Sequence, residues 1–117
     1  MNAQLHTLGR DLTQASELLH KYGHHGQGTV VDEIFATLET PQPDYKRLSS
    51  IDMWGGSGAV WEVCLTSGRR SDEQRADEKS FRKAIVRIAA AMDQMKIGTE
   101  RSRFIAKTLQ GWLDQGL

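Results

Sequence analysis

Apolar residues recur at alternating steps of three and four along most of this sequence, and that period restricts the fold more than any other feature. Leu5, Leu8, Leu12, Ala15, Leu19 and Tyr22 share one helical stripe, while Thr7, Arg10, Asp11, Gln14, Glu17 and Lys21 fall outside it. Gly23 stands just past the stripe, where a left-handed helix end favours a residue without Cβ. His24–Gly28 reads as a loop because of Gly26 and Gly28. Thr29 then suits the cap of a second helix carrying Val30, Val31, Ile34, Phe35 and Leu38, with Pro41 ending it. Pro43 and Asp44 open a short helical segment through Leu48. A long helix is predicted from Asp72 to Ile97. Acids crowd its first turns, Phe81, Ile85, Ile88, Met92 and Met95 form its stripe, and Gly98 ends it. Thr99 caps a last helix using Phe104, Ile105, Leu109, Trp112 and Leu113. So short a connection makes these two helices adjacent and roughly antiparallel.

Residues 51–68 do not declare a period. Trp61, Val63 and Leu65 alternate as in a strand, yet Val60, Trp61 and Cys64 also suit one helical turn. A lone strand would leave its backbone groups without partners, so a packed turn with a short helix is the better expectation. The prediction is a single all-α domain over residues 1–117, a compact bundle of four to five helices with a Gly-rich turn in its middle.

At 117 residues the chain suits one domain with one core. No apolar run is long enough to cross a bilayer, and the polar start (Asn2, Gln4, His6, Arg10, Asp11) carries no signal-peptide stretch. A single cysteine, Cys64, excludes an internal disulfide and a cysteine-rich metal site. These features point to the cytoplasm. The 15 basic and 15 acidic residues cancel, which removes the long-range field of a dedicated nucleic-acid binder. The balance is not local. Residues 1–68 hold four bases and eight acids, and residues 69–117 hold eleven bases and seven acids. Either the halves attract one another within the fold, or two faces of opposite sign are offered to partners.

Four candidate sites follow from residue type and spacing. The turn Trp54, Gly55, Gly56, Gly58, Trp61 can expose backbone N–H groups to an anion. It lacks the Lys-Ser or Lys-Thr pair of a phosphate loop, and Trp61 stands where a dinucleotide fingerprint needs its third glycine. The simpler reading is a tight turn that folds both tryptophans onto the core. His20 and His24 are four apart, but Gly23 interrupts their helix, so exposed histidines are expected and no metal. Cys64 has apolar neighbours, which suggests a buried and inert thiol. Arg75, Lys79, Lys83 and Arg87 recur every four residues along the long helix, a stripe suited to an acidic protein or simply to solvent. Acids interleave it and no aromatic does, which argues against nucleic acid.

The stretch Met53-Trp54-Gly55-Gly56-Ser57-Gly58-Ala59-Val60-Trp61-Glu62-Val63, followed by one long amphipathic helix, resembles a group of small uncharacterised bacterial proteins. These carry a Gly-Gly-x-Gly turn with an acidic residue a few positions on, which Glu62 matches. Some look like immunity or accessory factors of toxin systems. The resemblance spans about residues 51–97. It implies no catalytic residue and no cofactor, and it implies a binding role. The resulting expectation is a non-enzymatic protein-binding module that covers a partner's active cleft, the partner being a cognate toxin. Its contact residues would be Arg75, Lys79, Lys83 and Arg87 with Asp52 and Glu62. The alternative is a small enzyme or ligand-binding protein with a pocket at residues 52–62, lined by Trp54 and Trp61.

Overall fold

In the computed structural model, which describes residues 3–117, the chain forms five α-helices and, among the described residues, no strand. These are α1 (Ala3–Lys21), α2 (His25–Leu38), α3 (Ile51–Trp54), α4 (Asp72–Gln94) and α5 (Glu100–Asp114). Two 3₁₀ turns, Arg47–Ser49 and Val60–Glu62, flank α3. Helix α1 lies between α2 and α4, and α5 covers the other side of α4. Cross-helix pairs show the directions. Asp11 and Lys21 of α1 meet Arg87 and Asp77 of α4, and Arg82 and Asp93 of α4 meet Trp112 and Arg103 of α5. Both seams are therefore antiparallel.

The apolar stripes meet in one interior. Leu8, Leu12, Ala15 and Leu19 of α1 pack with Val31 and Ile34 of α2, Phe81, Ile85, Ile88 and Met92 of α4, and Ile105 and Leu109 of α5. The middle segment contributes Leu48, Met53, Trp54, Val60 and Leu65 to the same core. Each large apolar side chain so buried contributes about 1.5–3 kcal/mol. Capping fixes the ends of the last two helices. The Ser71 hydroxyl accepts from the Gln74 N–H and the Gln74 side chain accepts from the Ser71 N–H; Thr99 and Ser102 do the same for α5.

Several boundaries differ from the sequence expectation. α2 starts at His25, so Gly26 and Gly28 are helical and Thr29 is an interior residue rather than the cap. Gly28 is buried against α1. A Cβ there would press into the His20 imidazole, with Nε2 at 2.6 Å. Close helix approach outweighs the ~1 kcal/mol penalty of a helical glycine. The segment after Pro43 forms only the 3₁₀ turn at Arg47–Ser49. Helix α4 stops at Gln94. Its left-handed residue is Lys96 (φ 63°), and the Ile97 N–H returns to the Met92 carbonyl at 2.9 Å. Gly98 serves a different need: a Cβ there would collide with Asp93 Oδ1, which pairs with Arg103. Gly23 takes the left-handed end of α1 as expected (φ 82°). Cys64 is exposed, not buried. The chain leaves the 3₁₀ turn in an extended conformation at Val63, so Leu65 enters the core and Cys64 faces out.

One polar cluster ties α1 to the start of α4. Asp77 accepts from Lys21 Nζ at 2.8 Å and from the Tyr22 hydroxyl at 2.6 Å, and Lys21 also reaches Glu73 at 3.3 Å. The Lys21 and Tyr22 hydrogen bonds hold the Asp77 carboxyl below its ordinary value. The same contacts raise Lys21 and Tyr22 above theirs. A depressed acid adds stability above its unfolded pKa and loses it as pH falls. A raised base or phenol adds stability below its unfolded pKa and loses it as pH rises. The cluster is therefore intact between about pH 4 and pH 10. Thermal melts should show Asp77→Asn costing stability at pH 7 and costing less near pH 2. An equal cost at both would remove this assignment.

Candidate functional site

The Gly-rich turn is consumed by the fold. Trp54 is buried, with its indole N–H donated to the Leu48 carbonyl at 2.8 Å. Trp61 donates its own to the Gly55 carbonyl at 2.6 Å. Arg101 of α5 donates to the Trp54 and Gly55 carbonyls at 2.8 and 3.2 Å and lies over the Trp61 ring. Gly58 turns with φ 87°, and its N–H is accepted by Glu62 Oε1 at 2.8 Å. Glu62 thus locks the turn, and Asp52 alone of the two acids stands exposed without a partner. These bonds aim Trp54 and Trp61 at the protein's own carbonyls and favour the tight-turn reading over a pocket at 52–62.

The basic stripe divides. A step of four residues overshoots a helical turn, so Arg75 and Arg87 point about 120° apart. Arg87 leans over α1, 4.0 Å from Asp11. Lys83 is exposed. Arg75 and Lys79 gather with Arg82 and with Arg70 of the preceding loop around a cavity of about 200 Å³ closed by Gly116 and Leu117. Arg75 is held by Asp72 and by the Arg70 carbonyl at 3.1 Å. Arg82 donates to the Leu117 carbonyl at 2.6 Å and lies over the Trp112 ring. Arg70 Nε is buried without a partner. At the base, Glu78 is 2% exposed. Its Oε1 accepts the Thr66 N–H at 3.0 Å, and its Oε2 lies 3.7 Å from Arg82. Four cations thus face two acids, Glu78 and Asp72. Arg70 and Arg82 stand outside the four-residue series in the sequence. Their convergence was not visible there, because it depends on how the 63–71 loop returns to α4.

Exposed apolar side chains lie beside this cluster and along α5. Trp112 is 38% exposed and Leu117 52%; Phe104, two turns before Trp112 on the same face, is 63% exposed. Helical periodicity had assigned Phe104 and Trp112 to the core stripe. Only Ile105 and Leu109 are fully inside, since α5 packs on a narrower face than its apolar residues span.

The histidines form a relay between α1 and α2. Ser16 donates to Asp32, Asp32 Oδ2 lies 3.0 Å from His20 Nε2, and His20 Nδ1 lies 2.8 Å from His25 Nδ1. One imidazole therefore carries the Nδ1 hydrogen and the other offers a lone pair. His24 instead reaches the Leu65 carbonyl at 3.0 Å. Among the described residues, no group of three or more His, Cys, Asp or Glu side chains converges to hold a metal.

A further polar site lies on the α1–α4 seam. Asp11 is 7% exposed, and its Oδ2 has no hydrogen-bond partner. Leaving a buried acceptor unmet costs about 1–3 kcal/mol. Burial raises the Asp11 carboxyl above its ordinary value, with Arg87 and Arg10 drawing it back down.

No family model, curated protein or solved structure matches the chain. Among the described residues, no helix is long and apolar enough to cross a membrane.

Proposed function

We propose that this chain is a non-enzymatic protein-binding module of the cytoplasm that covers an acidic partner's active cleft, as an immunity protein neutralises a toxin. The observation that carries this reading is the cationic cavity formed by Arg70, Arg75, Lys79 and Arg82, with exposed Trp112 and Leu117 beside it. Arginine and aromatic side chains side by side supply the usual anchors of a protein interface. The charge asymmetry supports it further. Among the described residues, only Arg87–Asp11 pairs a base of the C-terminal half with an acid of the N-terminal half, and Lys21 pairs in the opposite sense. Most of the excess positive charge is therefore left on the surface, where it steers association.

Lys79 and Lys83 hold no ion pair among the described residues, which makes them clean reporters. Reversing both to Glu should weaken partner binding at least tenfold and shift the melting temperature little, because Lys83 is exposed, Lys79 is only half-buried, and charges without a close partner contribute little to stability. Pull-down from the native cell tests this. Recovery of a stoichiometric acidic protein that the double variant fails to capture supports the reading. No stoichiometric partner, or equal capture by both proteins, removes it. The immunity role further requires that the captured protein be toxic alone and silent in the complex.

A further inference from the structure

The seam between α1 and α4 holds a groove of about 500 Å³ lined by Thr7, Arg10, Asp11, Gln14 and Arg87. Asp11 lies at its base, nine-tenths buried, with one oxygen unpartnered. Its other oxygen is 4.0 Å from Arg87 Nη1, beyond hydrogen-bond distance. Arg10 makes no hydrogen bond or ion pair among the described residues. A carboxylate and two guanidiniums thus surround one space with no hydrogen bond between them, Arg87 and Asp11 meeting only as a long ion pair. A second hollow of about 320 Å³ shares Thr7, Asp11 and Arg87 and runs on past Ala90 and Ala91 toward Gln94.

The charges select the ligand. A simple cation would meet two guanidiniums. A simple anion would meet a buried carboxylate. A molecule bearing an ammonium and a carboxylate on one carbon answers both, and the alanine-floored extension accepts an apolar tail. We propose that this groove binds a free α-amino acid with an apolar side chain, its ammonium on Asp11, its carboxylate on Arg10 and Arg87, and its side chain over Ala90 and Ala91. The ammonium meets the Asp11 oxygen on the Arg87 side, while the unpartnered Oδ2 is closed off from solvent behind it. Arginine matches the carboxylate because its planar fork donates two parallel N–H groups. The site is separate from the cationic cavity and does not rest on the protein-binding reading.

Isothermal titration calorimetry of the whole chain at neutral pH and low salt provides the test, with L-leucine as probe. L-leucine should bind, N-acetyl-L-leucine and L-leucinamide should each bind at least tenfold more weakly, and glycine should bind more weakly than L-leucine. Asp11→Asn and Arg87→Gln should each lose at least tenfold in affinity for L-leucine. If Asp11→Asn fails to fold, Arg87→Gln and the two blocked ligands still decide, because the Arg87 side chain is 56% exposed. No heat with millimolar L-leucine would overturn the proposal. Equal affinity for either blocked ligand, or for glycine, would overturn it as well.

Discussion

Trp54→Ala is expected to lower the unfolding free energy by about 3–5 kcal/mol, the range for removing a large aromatic side chain from a closed core. Trp54 is 2% exposed and packs where the middle segment meets the helices. Its truncation opens a cavity and leaves the Leu48 carbonyl without its indole donor. It also loosens the segment whose Trp54 and Gly55 carbonyls hold Arg101, so α5 loses part of its anchorage. A domain of this size typically has about 5–15 kcal/mol in total, so the variant should melt more than about 10 °C lower. Trp54→Phe keeps one aromatic ring but loses the N–H and part of the indole volume, and should cost less than the alanine variant, about 1–3 kcal/mol. Phe104→Ala is the contrast, since Phe104 is 63% exposed and should change stability by less than about 0.5 kcal/mol. Urea denaturation of the three variants measures all of this. A Trp54→Ala loss no larger than that of Phe104→Ala would mean that the middle segment does not belong to the core.

Glu78→Ala carries the second large effect, about 3–5 kcal/mol, because it breaks a buried charged contact from one side only. The Thr66 N–H loses its acceptor, and Arg82, whose side chain is 13% exposed, loses its carboxylate neighbour. Glu78→Gln separates these contributions. The amide oxygen can still accept from Thr66, so that variant should lose only about 1–2 kcal/mol. Hydrogen exchange at the Thr66 amide should speed up strongly in Glu78→Ala and little in Glu78→Gln. Equal losses in the two variants would place the whole effect in the charge and none in the loop anchor.

Glu78 also shows why the cationic cavity was hard to foresee. In the sequence it reads as one of four acids favouring a helix N-terminus, alongside Asp72, Glu73 and Asp77, and as an i, i+4 partner for Arg82, but not as a loop anchor. In the fold it is nearly sealed and holds down the loop that brings Arg70 to Arg82. Arg75, Lys79, Lys83 and Arg87 were legible as a repeating series, yet their step of four rotates them away from one another. Two ends of the series therefore serve different helix seams. Asp11 gave no signal at all. It sits between Arg10 and Leu12 on a polar position of α1, and only the approach of α4 buries it.

Local chemistry did settle much. The apolar stripe of α1, the left-handed stop at Gly23, the cap at Thr99 and the antiparallel turn between the last helices all depend on neighbours within a few residues, so they are written in the order of the residues. What the tertiary structure decided is what lies far apart along the chain: the start of α2 against His20, the fate of Glu62 and the two tryptophans, and the meeting of Arg70 with Arg82 and of Asp11 with Arg87. Those contacts arise from close packing of whole helices. Packing depends on shape in three dimensions, which hydrophobic period constrains only to a face and not to a partner.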